Sequence, residues 1–252
     1  MTTITADKAG PVTAQASARG RTGFTPLQHA PATNWLRDVI LGGQDGLVNI
    51  LGIVLGVIAA GGSNTILLAT GFAAAVTESI SMGAVGYTST ISDRDHYQAV
   101  RGRERAEIDA QPDAERDALR TVYAAKGFTG QLLEQVVDTL TANRDRWLAT
   151  VLDDVLHLQP VGTRDAVRSS VVITGATLLG HLIPLVPFLV LARSSAVVVA
   201  IGLSALVLFG VGAYSAITLV GDWRRSGLKM LAIGLGAAAI GFAIAHAFPS
   251  GA

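Results

Sequence analysis

The sequence predicts an all-α membrane protein with five membrane-spanning helices and a charged helical insert between the second and the third. Three observations lead there. Charged residues make up only 15% of the 252-residue chain and mean hydropathy is +0.46, against roughly 25% charged residues in an average soluble protein. Five apolar stretches, at about residues 39–60, 65–91, 168–192, 195–220 and 228–248, each reach the ~20 residues that cross a ~30 Å hydrocarbon layer at 1.5 Å rise per residue. The charges are also segregated: residues 92–168 hold 14 of the 19 acids and 11 of the 19 Lys and Arg residues. Lipid offers no partners for backbone N–H and C=O groups, so spans of this length satisfy themselves as helices and not as hairpin strands.

Taken in order, residues 1–33 are polar and rich in Thr, Ala, Gly and Pro. Without the apolar core of a secretory signal they read as a disordered cytosolic tail. The first two spans fall within 34–91, and the third to fifth within 166–248. Between them, 92–160 is punctuated at Gln111-Pro112, at Lys126-Gly127 and at Thr141-Ala-Asn143. Pro opens a helix in its first turn and Gly closes one, which predicts helices over 92–110, 113–125, 130–140 and 144–157. The first continues the second span, since no breaker lies between Met82 and Ala110. Leu119, Val122 and Tyr123, and Leu132, Leu133, Val136 and Val137, recur at helical spacing and predict a small bundle. Pro184 and Pro187 should kink the third span. Small residues such as Gly42 and Gly46, Gly52 and Gly56, Gly83 and Gly86, Gly175 and Gly180, and Gly234, Gly236 and Gly241 permit close helix packing in lipid.

Lys and Arg set the orientation. Lys8, Arg19, Arg21 and Arg37 precede the first span, the turn 61–64 carries no charge, and Arg224, Arg225 and Lys229 lie in the connection 221–229. Alternation puts the tail, the insert and that connection on one face. The positive-inside rule makes this face cytosolic and leaves 249–252 outside. Cysteine is absent, which excludes disulfides and thiolate metal sites.

Few ionisable groups lie inside the spans, and each costs about 2.5–3.5 kcal/mol or more at the bilayer centre. Asp38 and Asp45, seven residues apart, share a helix face roughly 10 Å apart along the axis. Glu78 lies in the second span, with Met82 one turn on. Hard carboxylate oxygens joined by a softer thioether favour a first-row transition metal over Ca²⁺ or Mg²⁺. A carboxylate out of water takes up a proton when the metal leaves, because burial disfavours its charged form; competition between metal and proton is the chemical basis of exchange. The structural alternatives are an interfacial ion pair of Asp38 with Arg37, and packing for Met82. His181 and His246 read as neutral rings, each satisfied by a backbone carbonyl.

The block Leu36-Arg-Asp-Val-Ile-Leu-Gly-Gly-Gln-Asp-Gly-Leu-Val48, then Glu78-Ser-Ile-Ser-Met-Gly-Ala84, Ser92-Asp-Arg-Asp95 and Gly180-His-Leu-Ile-Pro-Leu-Val-Pro187, resembles the vacuolar iron transporter family, whose plant and fungal members load iron and manganese into vacuoles. Pro112-Asp-Ala-Glu-Arg116 and Lys126-Gly127 add to the resemblance, which covers residues 34–248. It implies a dimer of five-helix subunits with a pathway along the first helices of both chains, moving Fe²⁺, and Mn²⁺ besides, out of the cytosol against protons. Asp38, Asp45, Glu78 and Met82 match its pathway positions. It also implies that the insert is a cytosolic metal-binding domain with two Glu-x-x-Glu pairs and a later Met-Met-x-x-Glu. Here Glu104 and Glu107 keep the first pair and Glu115 half of the second, while Ala118, Val151, Leu152 and Val155 stand where ligands are expected. Asp113, Asp117, Asp153 and Asp154 are the available substitutes. The alternative for Glu104 and Glu107 is a solvated face paired with Arg101 and Arg103.

The leading expectation is therefore a proton-coupled metal exporter in a prokaryote-like plasma membrane, with lipid, divalent metal ions, protons and a second copy of the chain as partners. No cofactor and no nucleic acid are called for; the metal is cargo. A non-transporting sensor or scaffold of the same fold is the runner-up. An intramembrane enzyme is disfavoured, since no Ser/His pair, His-rich box or His-Glu-x-x-His run occurs.

Overall fold

A computed structural model describes residues 32–218 and 221–247. The expectations for a tail and for an external segment at 249–252 fall almost wholly outside these residues; only 32 and 33 are described, and they already belong to the first helix. The helices are α1 (Ala32–Ala59), α2 (Asn64–Ala110), α3 (Pro112–Ala125), α4 (Gly130–Thr141), α5 (Arg144–Thr150), α6 (Thr163–Leu185), α7 (Pro187–Val190), α8 (Arg193–Thr218) and α9 (Trp223–His246), with a π-helical turn at Val151–Val155. Five of them, α1, α2, α6, α8 and α9, are long and apolar enough to cross a membrane. Outward-facing Ile80, Val171, Leu179, Val198, Leu206 and Ile240 are exposed within the chain. Side chains this apolar have no place in water over so wide a surface, and they suit a lipid boundary.

Local chemistry explains the boundaries. The Ser63 hydroxyl accepts from the Ile66 N–H at 3.2 Å and starts α2. That helix then runs 47 residues without a break, about 70 Å at 1.5 Å per residue. This is more than twice a ~30 Å hydrocarbon layer, so its second half stands clear of the apolar stretch and carries the insert. Pro112 ends α2 and opens α3. Gly127 and Gly130, at φ +98° and +57°, make the turn into α4, which a side chain would strain. The Asn143 side chain caps α5 by accepting from the Asp145 and Arg146 N–H groups, both at 3.0 Å, and Asp222 caps α9 through Arg224 N–H at 3.0 Å. The helix expected over 144–157 changes to π-helical pitch at Val151 and ends at Val155, and His157 closes it at φ 54°. The third span breaks at Val186 into α6 and the short α7. Pro184 is held within α6 and Pro187 starts α7, so the two prolines divide the segment instead of only bending it.

In the spanning part, α6 packs most extensively against α1 and α2, and α9 against α1 and α8. Ile50, Val54, Leu67, Ala75, Leu185, Phe188, Ala196 and Ala200 form one apolar core among α1, α2, α6, α7 and α8. In the insert, Val100 and Ile108 of α2 pack with Leu119, Trp147, Leu148, Val151 and Leu152 into a second core.

Glycines let α6 approach its neighbours. A Cβ on Gly42 would lie 2.7 Å from the Ile173 carbonyl oxygen, and one on Gly180 would lie 2.5 Å from the Gly43 carbonyl oxygen. A Cβ on Gly46 would collide with the Thr177 carbonyl oxygen and lie 2.7 Å from His181 Nδ1. Gly175 and Gly236 face open space and have no such role within the chain.

Candidate functional site

Asp45 on α1 and Glu78 on α2 stand at matching heights. Each is 14 residues from its helix end at the 60–63 turn, about 21 Å along the axis. Their carboxyls lie within hydrogen-bonding reach of one another, and His181 of α6 is close enough to act on Asp45 electrostatically. Both carboxylates are half-buried. The three groups meet at the junction where α6 wedges between α1 and α2.

His181 is fully buried and uses both ring nitrogens. Nδ1 lies 2.7 Å from the Thr177 carbonyl oxygen and Nε2 lies 3.0 Å from Glu78 Oε2. A carbonyl can only accept, so Nδ1 donates. The expected carbonyl partner is present, but the reading of His181 as a lone satisfied ring is incomplete because Glu78 is its second partner. Buried hydroxyls nearby are satisfied within their own helices: Thr177 Oγ1 donates to the Ile173 carbonyl at 2.8 Å and Ser79 Oγ to the Ala75 carbonyl.

Of the residues singled out from the sequence, Asp45 and Glu78 are thus brought together. Asp38 lies two turns from Asp45 on α1, and Met82 one turn from Glu78 on α2; both are half-buried. Both lie on the insert side of the carboxylate pair, about 10 Å and 6 Å along their helices. Among the described residues, no three His, Asp or Glu side chains converge tightly enough to enclose a metal ion.

In the insert, Glu104 and Glu107 lie on the outer part of α2 and Glu115 on α3, either side of the Pro112 turn, near enough for the charges of Glu107 and Glu115 to act on Glu104. Burial first, then the Glu107 and Glu115 charges, push the Glu104 carboxyl above the usual carboxylate range. Three of the four substitute acids, Asp117, Asp153 and Asp154, are otherwise engaged. Asp154 accepts from Tyr123 Oη and pairs with Lys126 at 2.8 Å. Burial alone would raise its carboxyl, but those two partners hold it below the usual range. Asp117 pairs with Arg120, which also bonds both oxygens of Glu134 at 2.8 and 2.9 Å, and Asp153 accepts from Gln159 at 2.6 Å. Val151 and Leu152 are 4% and 3% exposed and belong to the insert core. Two of the positions where the resemblance implies ligands are therefore spent on apolar packing, while Ala118 stands exposed.

Comparison with known proteins gives the chain a family. The family model described as the VIT family matches residues 36–246. The chain is 32% identical to vacuolar iron transporter 2 of Oryza sativa subsp. japonica, over 73% of this chain and 76% of that protein. It is 33% identical to vacuolar iron transporter 1 of Arabidopsis thaliana, over 73% of this chain and 74% of that protein. A shorter match, 31% identical over 42% of this chain and 36% of the relative, joins it to the vacuolar iron transporter of Toxoplasma gondii. The named relatives are transporters, not enzymes. This chain is an integral membrane protein, and it belongs to the VIT family.

Proposed function

We propose that the protein moves divalent transition-metal ions, Fe²⁺ foremost and Mn²⁺ as well, out of the cytosol in exchange for protons. The observation that carries this reading is the Asp45–Glu78 pair, two carboxyls within hydrogen-bonding reach of one another inside the spanning bundle. Two like unit charges 4 Å apart repel by about 4 kcal/mol at an effective dielectric constant of 20, and each also loses hydration. A bare dianion is therefore the unfavourable state of this pair, and either a proton or a cation relieves it. A metal entering from the insert side passes Asp38 and Met82 and displaces the proton; when it leaves on the far side, a proton returns. Exchange follows from one site having two mutually exclusive occupants. The names of the relatives, vacuolar iron transporters, support iron as cargo.

In this reading the insert lies in the cytosol, as its share of basic residues favours. Glu104, Glu107 and Glu115 give it a weak and unselective metal site, since three carboxylates lack the sulfur that would discriminate among first-row metals. Two copies associate along α1, whose Trp35, Val39 and Leu41 are left uncovered within the single chain.

Flux through proteoliposomes loaded with a metal-sensitive dye tests the proposal. Fe²⁺ and Mn²⁺ should enter faster when the compartment they enter is the more acidic, and that compartment should lose protons as metal arrives. Flux that ignores the pH gradient ends the exchange mechanism, and no flux of either metal ends transport altogether.

A further inference from the structure

We propose that His181 is the positioning residue of the intramembrane carboxylate pair, holding the Glu78 carboxyl where it meets Asp45. The proposal rests on the reading of Asp45 and Glu78 as the transport site and assigns a third residue to it.

A glutamate on a membrane-spanning helix has three torsions and can extend along the helix toward water, as long polar side chains near lipid do. Glu78 keeps 21% of its side chain exposed, so burial alone does not fix it. His181 has no such freedom. Its side chain is 0% exposed. Nδ1 is pinned by the Thr177 carbonyl one turn back on the same helix, at 2.7 Å. The other side of Nδ1 is closed by α1, where even a methyl group on Gly46 would lie 2.7 Å from that nitrogen. The backbones of two helices therefore fix the ring, and the ring fixes a point 3.0 Å from Glu78 Oε2. Gly46 follows Asp45 in sequence, so the contact that locks the ring also sets the height of the residue Glu78 must meet. This is the outer-shell arrangement of metal sites, in which a group that does not bind the ion orients one that does.

A histidine that only fills space would affect how much protein folds and how fast it turns over. A positioning residue affects how well the site takes metal. Three substitutions separate the two cases. His181→Phe keeps an aromatic ring, somewhat larger, and removes both nitrogens. His181→Asn can replace Nδ1 alone. His181→Gln carries an amide to the place of Nε2. In proteoliposome flux, Phe and Asn should raise the KM for Mn²⁺ by about tenfold or more, the loss usual for outer-shell partners, while kcat changes by less than about threefold. Gln should recover most of the wild-type KM. A wild-type KM in His181→Phe overturns the proposal. If the Phe protein does not fold, equal KM values for Asn and Gln overturn it instead. Glu78→Gln, assayed in parallel, separates the two levels of the argument. If it is inactive while His181→Phe has a normal KM, only the positioning role fails; if it transports at the wild-type rate, the site itself is wrong.

Discussion

Asp45 and Glu78 come from different helices, yet they reach the same height because each lies 14 residues from the turn that joins those helices. An antiparallel helix pair brings such mirror positions together, and the carboxyls end within hydrogen-bonding reach. Asp45→Asn and Glu78→Gln are near-isosteric and remove a charge that is costly in lipid. Each should abolish metal flux while leaving the yield and the elution profile of the folded protein intact. Flux assay and size-exclusion chromatography on the same preparations check both halves.

Orientation is open to a labelling test, helped by the absence of native cysteine. Cysteine at position 250 should react with an impermeant thiol reagent added outside intact cells. Cysteine replacing the exposed Ala114 should react only after the cells are opened. The reverse pattern would invert the bundle and the direction of transport with it.

Gly46→Ala places a methyl group against the Thr177 carbonyl and the His181 ring. Overpacking of this kind costs about 1–3 kcal/mol, visible as a lower thermal midpoint in detergent. Gly52 is the control, since a Cβ there meets nothing, and Gly52→Ala should gain about 0.5–1 kcal/mol from helix propensity. Equal midpoints for the two variants would mean that α1 and α6 are not packed this closely.

The Tyr123–Asp154 contact makes the insert sensitive to alkali. Burial, and then the bond to Asp154, push the Tyr123 phenol from an ordinary 10.0 up to about 12. The folded chain holds this proton more tightly than the unfolded one, so the contribution is complete below pH 10 and is lost as pH rises toward 12. Asp154 behaves in the opposite sense. Its carboxyl is held below an ordinary 3.8, so its contribution is full above that value and is lost as pH falls below it. Phenolate absorbance of the full chain should contain a component from Tyr123 that titrates late, and Tyr123→Phe should remove it.

Replacing Glu104 and Glu107 together by Gln should cost a modest fraction of flux, where Asp45→Asn stops it. Metal affinity at the insert should be no tighter than about 10 µM, within the weaker range of carboxylate sites. Calorimetry with Mn²⁺ on the full-length Asp45→Asn protein, with and without the two Gln changes, isolates that contribution. Sub-micromolar binding by several ions per chain would mean that the neighbouring aspartates had left their present partners to bind metal.

Much of this architecture follows from short-range rules. The spans are legible because apolar length is a one-dimensional property, and the unbroken α2 because nothing between Met82 and Ala110 interrupts it. Asp45 and Glu78 stand out because charge in lipid has a known cost. The role of His181 is not legible, because its partner lies 103 residues away and neither residue carries a local mark of the other. The π-helical turn at Val151–Val155 is invisible for a related reason. It forms where Val151 and Leu152 turn into the insert core, and that core is assembled from α2, α3 and α5 together.

The unbroken α2 gives the molecule a mechanical property. Glu78 and Glu104 are on one rod, separated by about 39 Å at 1.5 Å per residue. Where the helix moves as one body, a tilt of about 5° at Glu78 carries Glu104 sideways by about 3 Å over that length. Arg94, nearer the outer end, donates to Thr163 at 2.8 Å and so ties the rod to the first residue of α6, the helix that carries His181. The inner carboxylates and the outer acids thus ride on one continuous helix, which α6 grips by close packing at Gly71, Gly83 and Gly86 and again, farther out, through Arg94.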